Sequence, residues 1–110
     1  MSKVITKKYS DRVEYTLDGL FHREDGPAIE WYTGDKFWHL YGELHRENGP
    51  AIEFSDGEKC WFIKGMRHRE NGPARELPNG DKQYWLNDKY LDFITNDQML
   101  IYYLKYGFLK

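Results

Sequence analysis

One cysteine, Cys60, is all the thiol this 110-residue chain carries, so neither an intramolecular disulfide nor a cysteine-based zinc cluster can staple it. Net charge is nearly absent as well. A formal charge of -2 comes from 31% charged residues of both signs, interspersed, which leaves no overall field to draw nucleic acid or an anionic membrane. Nucleic acid and membrane partners are therefore disfavoured. No window approaches the roughly 18 consecutive apolar residues that a membrane span needs. The start, MSKVITKKYS, lacks the apolar stretch of a signal peptide, so the expected location is the cytoplasm. Catalytic signatures are missing too: no nucleophile beside a base in a recognisable pattern, no glycine-rich phosphate loop between strand and helix, and no His-Glu-x-x-His. A non-enzyme with no cofactor and no metal is the expectation.

What the chain does have is aromatic bulk and a period. Aromatic residues make up 17% of it, and they must supply most of the core. A 23-residue block occurs three times: Phe21-His22-Arg23-Glu24-Asp25-Gly26-Pro27-Ala28-Ile29-Glu30 returns from Leu44 to Glu53 and again from Arg67 to Glu76. Self-similarity at a fixed period marks a repeat architecture in which each unit buries its apolar face against its neighbours.

Nine of the ten glycines fall into three columns, Gly19/Gly42/Gly65, Gly26/Gly49/Gly72 and Gly34/Gly57/Gly80, each marking a turn. Asp18-Gly19, Asp25-Gly26, Asn48-Gly49, Asp56-Gly57, Asn71-Gly72 and Asn79-Gly80 suit the two positive-φ positions of a type I′ hairpin. Taking every turn as a two-residue loop gives mutually consistent registers, with Ile29 facing Trp38, Trp38 facing His45 and His45 facing Ile52. One inner row would then run Tyr15, His22, Ile29, Trp38, His45, Ile52, Trp61, His68, Arg75, Tyr84, Leu91, flanked by Leu17, Trp31, Leu40, Phe54, Ile63, Leu77 and Leu86. The third unit is atypical, with Arg75 in the isoleucine column, as capping units often are.

After Leu91 the period changes. Thr95 with Gln98 reads as a capping box, apolar residues recur at helical spacing, and Gly107 is placed to stop a helix over 96–106. That helix is apolar nearly all round, so it should be buried against the last hairpins or against another chain. The expected class is mainly β: a curved antiparallel β-meander of 23-residue hairpin repeats with one C-terminal α-helix. Its divisions are an N-terminal arm over 1–10, the repeat sheet over 11–92 and a helical cap over 93–110.

Blocks of Gly-x-Leu-His-Arg-x-Asn/Asp-Gly-Pro-Ala-Ile-Glu followed by Asp/Asn-Gly-x-Lys-x-Trp resemble the β-hairpin repeats of the MORN-variant group, found in bacterial antitoxin-like proteins, phages and giant viruses. The resemblance spans about Asp11 to Leu91. It implies a curved sheet used as a binding scaffold, often as an immunity or inhibitor protein.

Two columns invite chemistry. His22, His45 and His68 would lie three strands apart, about 14 Å at about 4.8 Å per strand, too far to share a zinc whose ligands sit at about 2.0–2.1 Å. They read as packing residues. Arg23, Arg46 and Arg69 fall on the outer face with Glu30, Glu53 and Glu76, where they either pair with those glutamates or present guanidinium groups to a partner. The same outer face gathers Phe37, His39, Tyr41, Phe62 and Trp85, more aromatic surface than solvent tolerates, and these with the arginines form the candidate partner site. The resulting expectation is a protein-binding module of inhibitor, antitoxin or phage anti-defence type acting on a protein target. The alternatives are sequestration of a nucleotide or other phosphorylated ligand, and a homodimer or larger homo-oligomer that buries one sheet on another. Cys60 reads as packing.

Overall fold

In the computed structural model, residues 3–107 are described; the outermost parts of the expected arm and cap, 1–2 and 108–110, lie outside them. Among these residues fifteen strands precede one helix. β1 (Ile5–Lys8), β2 (Arg12–Leu17) and β3 (Leu20–Phe21) open the chain. The second unit supplies β4 (Ile29–Trp31), β5 (Lys36–Phe37), β6 (His39–Leu40) and β7 (Glu43–Leu44), and the third β8 (Ile52–Glu53), β9 (Lys59–Cys60), β10 (Phe62–Ile63) and β11 (Met66–Arg67). The last supplies β12 (Arg75–Glu76), β13 (Lys82–Gln83), β14 (Trp85–Leu86) and β15 (Lys89–Tyr90), followed by α1 (Asp97–Tyr106). The fold is mainly β, an antiparallel meander of hairpins with one C-terminal helix.

The meander has two rails. A long sheet runs β1-β2-β4-β5-β8-β9-β12-β13, and beside it the hairpins β2/β3, β6/β7, β10/β11 and β14/β15 stand in a row. Each unit crosses from one rail to the other at an aromatic residue. Trp38 shows how: its N–H donates to Ala51 O at 2.7 Å in the sheet, while its C=O accepts from His45 N at 3.0 Å in the hairpin. Tyr15 and Trp61 repeat both bonds with their own partners.

The outer hairpins are two-residue type I′ turns with both central residues at positive φ: Asp18-Gly19, Tyr41-Gly42, Lys64-Gly65 and Asn87-Asp88. The hairpins expected at Asp25-Gly26, Asn48-Gly49 and Asn71-Gly72 do not form. Their glycines lack a positive φ, and the block from His45 to Pro50 is a connection that returns the chain to the sheet, where β8 pairs with β5 and not with the strand just left.

The sheet turns also differ from expectation. Trp31 N–H donates to Asp35 O and Gly34 N–H to Trp31 O, closing a three-residue loop, Tyr32-Thr33-Gly34, with only Gly34 at positive φ. Ile29 therefore faces Phe37, not Trp38. A slip of one residue moves side chains to the other face. Ile29, Ile52 and Arg75 leave the row of Tyr15, His22, Trp38, His45, Trp61 and His68, and Trp31, Phe54 and Leu77 go with them; Phe37 and Phe54 meet edge to face at 5.9 Å. Cys60 faces Ile52 and Arg75, and it is buried. Burial pushes its thiol above the ordinary cysteine value, which fits a packing role. On the tryptophan face the vacated positions carry charges of alternating sign, Glu30, Lys36, Glu53, Lys59, Glu76 and Lys82, each opposite the next.

Histidine couples one unit to the next. His22 Nδ1 accepts the N–H of Tyr41, His45 Nδ1 that of Lys64 and His68 Nδ1 that of Asn87, at 2.9, 2.8 and 2.9 Å. Each donor is the first positive-φ residue of the following hairpin turn. Neighbouring hairpins add backbone bonds, such as Gly42 N–H to Phe21 O and Gly65 N–H to Leu44 O, both 2.8 Å. Leu91 stands in the fourth histidine position, where no further hairpin offers an N–H, and it is buried against the helix instead.

At the other end, β1 pairs with β2 from Ile5↔Thr16 to Lys8↔Val13, so residues 5–8 are a paired edge strand. The helix begins one residue later than expected, and its cap is Asn96, not Thr95: Asn96 Oδ1 accepts from Met99 N at 2.9 Å. Gly107, at φ 69°, ends it.

His45→Phe keeps the ring volume but leaves the Lys64 N–H without its acceptor, and should cost about 1–3 kcal/mol in chemical unfolding. His45→Asn, whose amide oxygen can reach the same N–H, should cost less; equal losses would show that the ring's packing matters and the bond does not.

Candidate functional site

The arginine column does not point away from the sheet. Arg23 lies over the Tyr15 ring at 4.0 Å, Arg46 over Trp38 at 3.9 Å and Arg69 over Trp61 at 4.0 Å. Nη1 of each donates to the proline carbonyl of its own block, Pro27, Pro50 or Pro73, at 3.0–3.2 Å. Ion pairs to Glu30, Glu53 and Glu76, at 3.2, 3.2 and 3.5 Å, complete the set. Each arginine thus ties an aromatic ring, a loop carbonyl and a sheet carboxylate together. The glycine of the block makes room for it. A Cβ on Gly26, Gly49 or Gly72 would stand 2.8, 3.0 or 2.9 Å from the guanidinium carbon.

Held open by these stacks, three grooves of the same construction lie in a row on the tryptophan face. The first is lined by Tyr15, Leu17, His22 and Arg23. The second has Trp38, Leu40, His45 and Arg46 in the equivalent places, and the third Trp61, Ile63, His68 and Arg69. Their volumes are about 660, 650 and 950 Å³. Exposed carboxylates stand on the rims: Glu24, Glu47 and Glu70 approach the histidine Nε2 atoms at 3.7, 3.5 and 3.2 Å.

In the fourth unit the corresponding place is filled. Tyr84, Leu86 and Leu91 occupy the positions of Trp61, Ile63 and His68, and Ile94, Met99, Leu100 and Tyr103 pack on them as the main apolar cluster of the molecule. Tyr84 Oη donates to Asp97 Oδ1 at 2.6 Å, fastening the first turn of the helix to the sheet. Burial first, and this bond second, push the Tyr84 phenol well above the usual tyrosine range.

The aromatic residues expected to make the partner site divide. Phe37, His39, Phe62 and Trp85 share the face opposite the grooves and are half-buried in separate local contacts: Phe37 to Phe54 at 5.9 Å, Phe21 to His39 at 5.4 Å, Arg67 between Phe62 and Trp85 at 5.1 and 5.0 Å, and Trp85 to Tyr90 at 5.1 Å. Burial holds His39 below the ordinary imidazole value, and its Nδ1 is buried without a hydrogen-bond partner among the described residues. Tyr41 sits apart at a hairpin tip, 62% exposed, its ring 4.3 Å from His22. Arg23, Arg46 and Arg69 belong to the groove face, so the structure does not bring the eight residues together.

The groove floors escaped notice because tryptophan beside histidine reads as core. A signal was present in the fixed spacing from Trp38 to Arg46, repeated from Tyr15 to Arg23 and from Trp61 to Arg69. Equivalent histidines are two sheet strands apart, about 10 Å at about 4.8 Å per strand, not three, and the Nδ1 atoms of His22, His45 and His68 are already engaged with backbone N–H groups. Among the described residues no group of three His, Cys, Asp or Glu side chains is placed to hold a metal ion, and no helix is long and apolar enough to cross a membrane. Compared with protein-family models, curated proteins and solved structures, the chain matches none.

Two measurements check this construction. Gly49→Ala should destabilise the protein by about 1 kcal/mol by displacing Arg46, whereas in an Arg46→Ala background it should be neutral or slightly stabilising, because alanine then only restricts the unfolded chain. For Tyr84, a folded pKa above the unfolded one means that its contribution is complete below about pH 10 and is lost as pH rises further. Tyr84→Phe should therefore cost about 1 kcal/mol at neutral pH, with the deficit shrinking above about pH 10 in Tm measured against pH.

Proposed function

We propose that the chain is a non-enzymatic protein-binding module of the cytoplasm, an inhibitor of the antitoxin or anti-defence kind that the repeat resemblance implies, and that it holds its target protein in the grooves of the tryptophan face. One observation carries this reading. Three like-built grooves lie open in a row while the fourth equivalent place is closed by an apolar segment of polypeptide, the chain's own helix. Such a surface combines aromatic and arginine side chains with an apolar floor and a polar rim, the usual composition of protein interfaces.

Sequestration of a phosphorylated ligand has less support, because the guanidinium groups that would clamp it already hold ring, carbonyl and carboxylate. Calorimetry against a nucleotide panel should give no heat.

The target is sought by cross-linking the protein in its source cells and rebuilding the complex from purified components. Reversing the rim with Glu24→Lys and Glu47→Lys, and truncating Tyr41→Ala, alters only exposed side chains. Together these changes should weaken the rebuilt complex by about tenfold or more. Undiminished affinity in that variant, with loss on Trp85→Ala instead, would move the site to the opposite face.

A further inference from the structure

Among the described residues, nothing packs on a second apolar side of the helix. Leu100 is fully buried toward the sheet, but Ile101 is 50% exposed, Tyr102 49%, Leu104 42% and Tyr106 56%. A soluble domain seldom leaves a helix face like this uncovered. Leu104 also forms a wall of the third groove, opposite Trp61 and Ile63, so the bare side of the helix and the open groove are one continuous surface.

We propose that the third groove is filled by the C-terminal helix of a second copy of this chain, in a two-fold symmetric dimer with the two helices side by side between the two sheets. The groove has the construction of the place this same helix already fills: Trp61, Ile63 and His68 stand where Tyr84, Leu86 and Leu91 receive Leu100. An arriving helix would meet that floor below and Ile101 and Leu104 of the resident helix beside it. Symmetry makes every contact twice and closes the assembly.

Charge agrees. Lys105, over the Tyr106 ring at 5.3 Å, is the one cation of the helix, and the groove rim presents Glu47 and Glu70, 78% and 70% exposed, beside the Nε2 atoms of their own histidines. Size agrees as well. The helix is about 15 Å long, whereas the molecule extends 52 Å. Two helices cover the third and fourth places and leave the first two grooves free. Pairing of sheet edges is the competing route to self-association, and it is opposed at the C-terminal edge by two-residue strands carrying Lys82 and Lys89.

Sedimentation of the full chain from about 1 to 200 µM should show a monomer–dimer equilibrium. Ile101→Glu with Leu104→Glu alters only exposed positions, and should weaken association by about 100-fold with the circular dichroism unchanged. To locate the contact, Lys105→Glu and the rim pair Glu47→Lys with Glu70→Lys should each weaken the dimer about fivefold, and combining them should restore it. A monomer throughout that range overturns the proposal, as does a dimer indifferent to the helix substitutions or one that the combined charge reversal fails to restore. Target binding is scored separately in the Ile101→Glu with Leu104→Glu variant, which leaves the lining of the first two grooves unaltered.

Discussion

The bond between a histidine ring and the turn of the next hairpin is the contact on which the array depends. Tyr41 and Lys64 adopt left-handed backbone conformations that cost such residues of order 1 kcal/mol, and a hairpin of two-residue strands has little of its own to offset that. The preceding unit supplies the remainder. His22 or His45 accepts the N–H at the strained residue, and the adjacent carbonyl accepts the glycine N–H that follows. Each unit thus completes its neighbour, which is the nearest-neighbour energetics of a repeat protein. The array must then end in something else. Leu91 replaces the ring where there is no next turn, and the helix seals that end; β1 pairs along the other.

A second set of contacts turns this scaffold into a surface. Arginine stacking over tyrosine or tryptophan, with its Nη1 on a proline carbonyl and a glutamate, holds the connecting block upright beside the ring. Between successive blocks lie the grooves. Their floor is apolar because Leu17, Leu40 and Ile63 share the face of the rings, and their rim is charged because the block is exposed there. The side chains that stabilise the sheet and those that line the grooves are therefore largely the same.

Much of the architecture could be read from the chain, and one register error accounts for the misplaced rows. Period, the Tyr41-Gly42 hairpin and the C-terminal helix follow from glycine columns and alternation. The error lies in Thr33-Gly34, where a two-residue and a three-residue loop both place glycine at positive φ and differ only by whether Tyr32 pairs. That single residue exchanges Ile29 for its neighbour in the tryptophan row. Asn48-Gly49 misled for a different reason: its glycine answers to the Arg46 guanidinium across the loop and not to its own φ, and a sequence shows the residue without showing which constraint chose it.

By itself the sequence determined the period, the class of fold and the absence of a net field, because these depend on local backbone preference and on counting. Only the tertiary structure decided which face each strand turns outward, what the histidines and arginines hold, and which unit is closed by the helix. Those depend on contacts between residues about one repeat apart, such as His45 with Lys64, whose geometry exists only once the units have stacked.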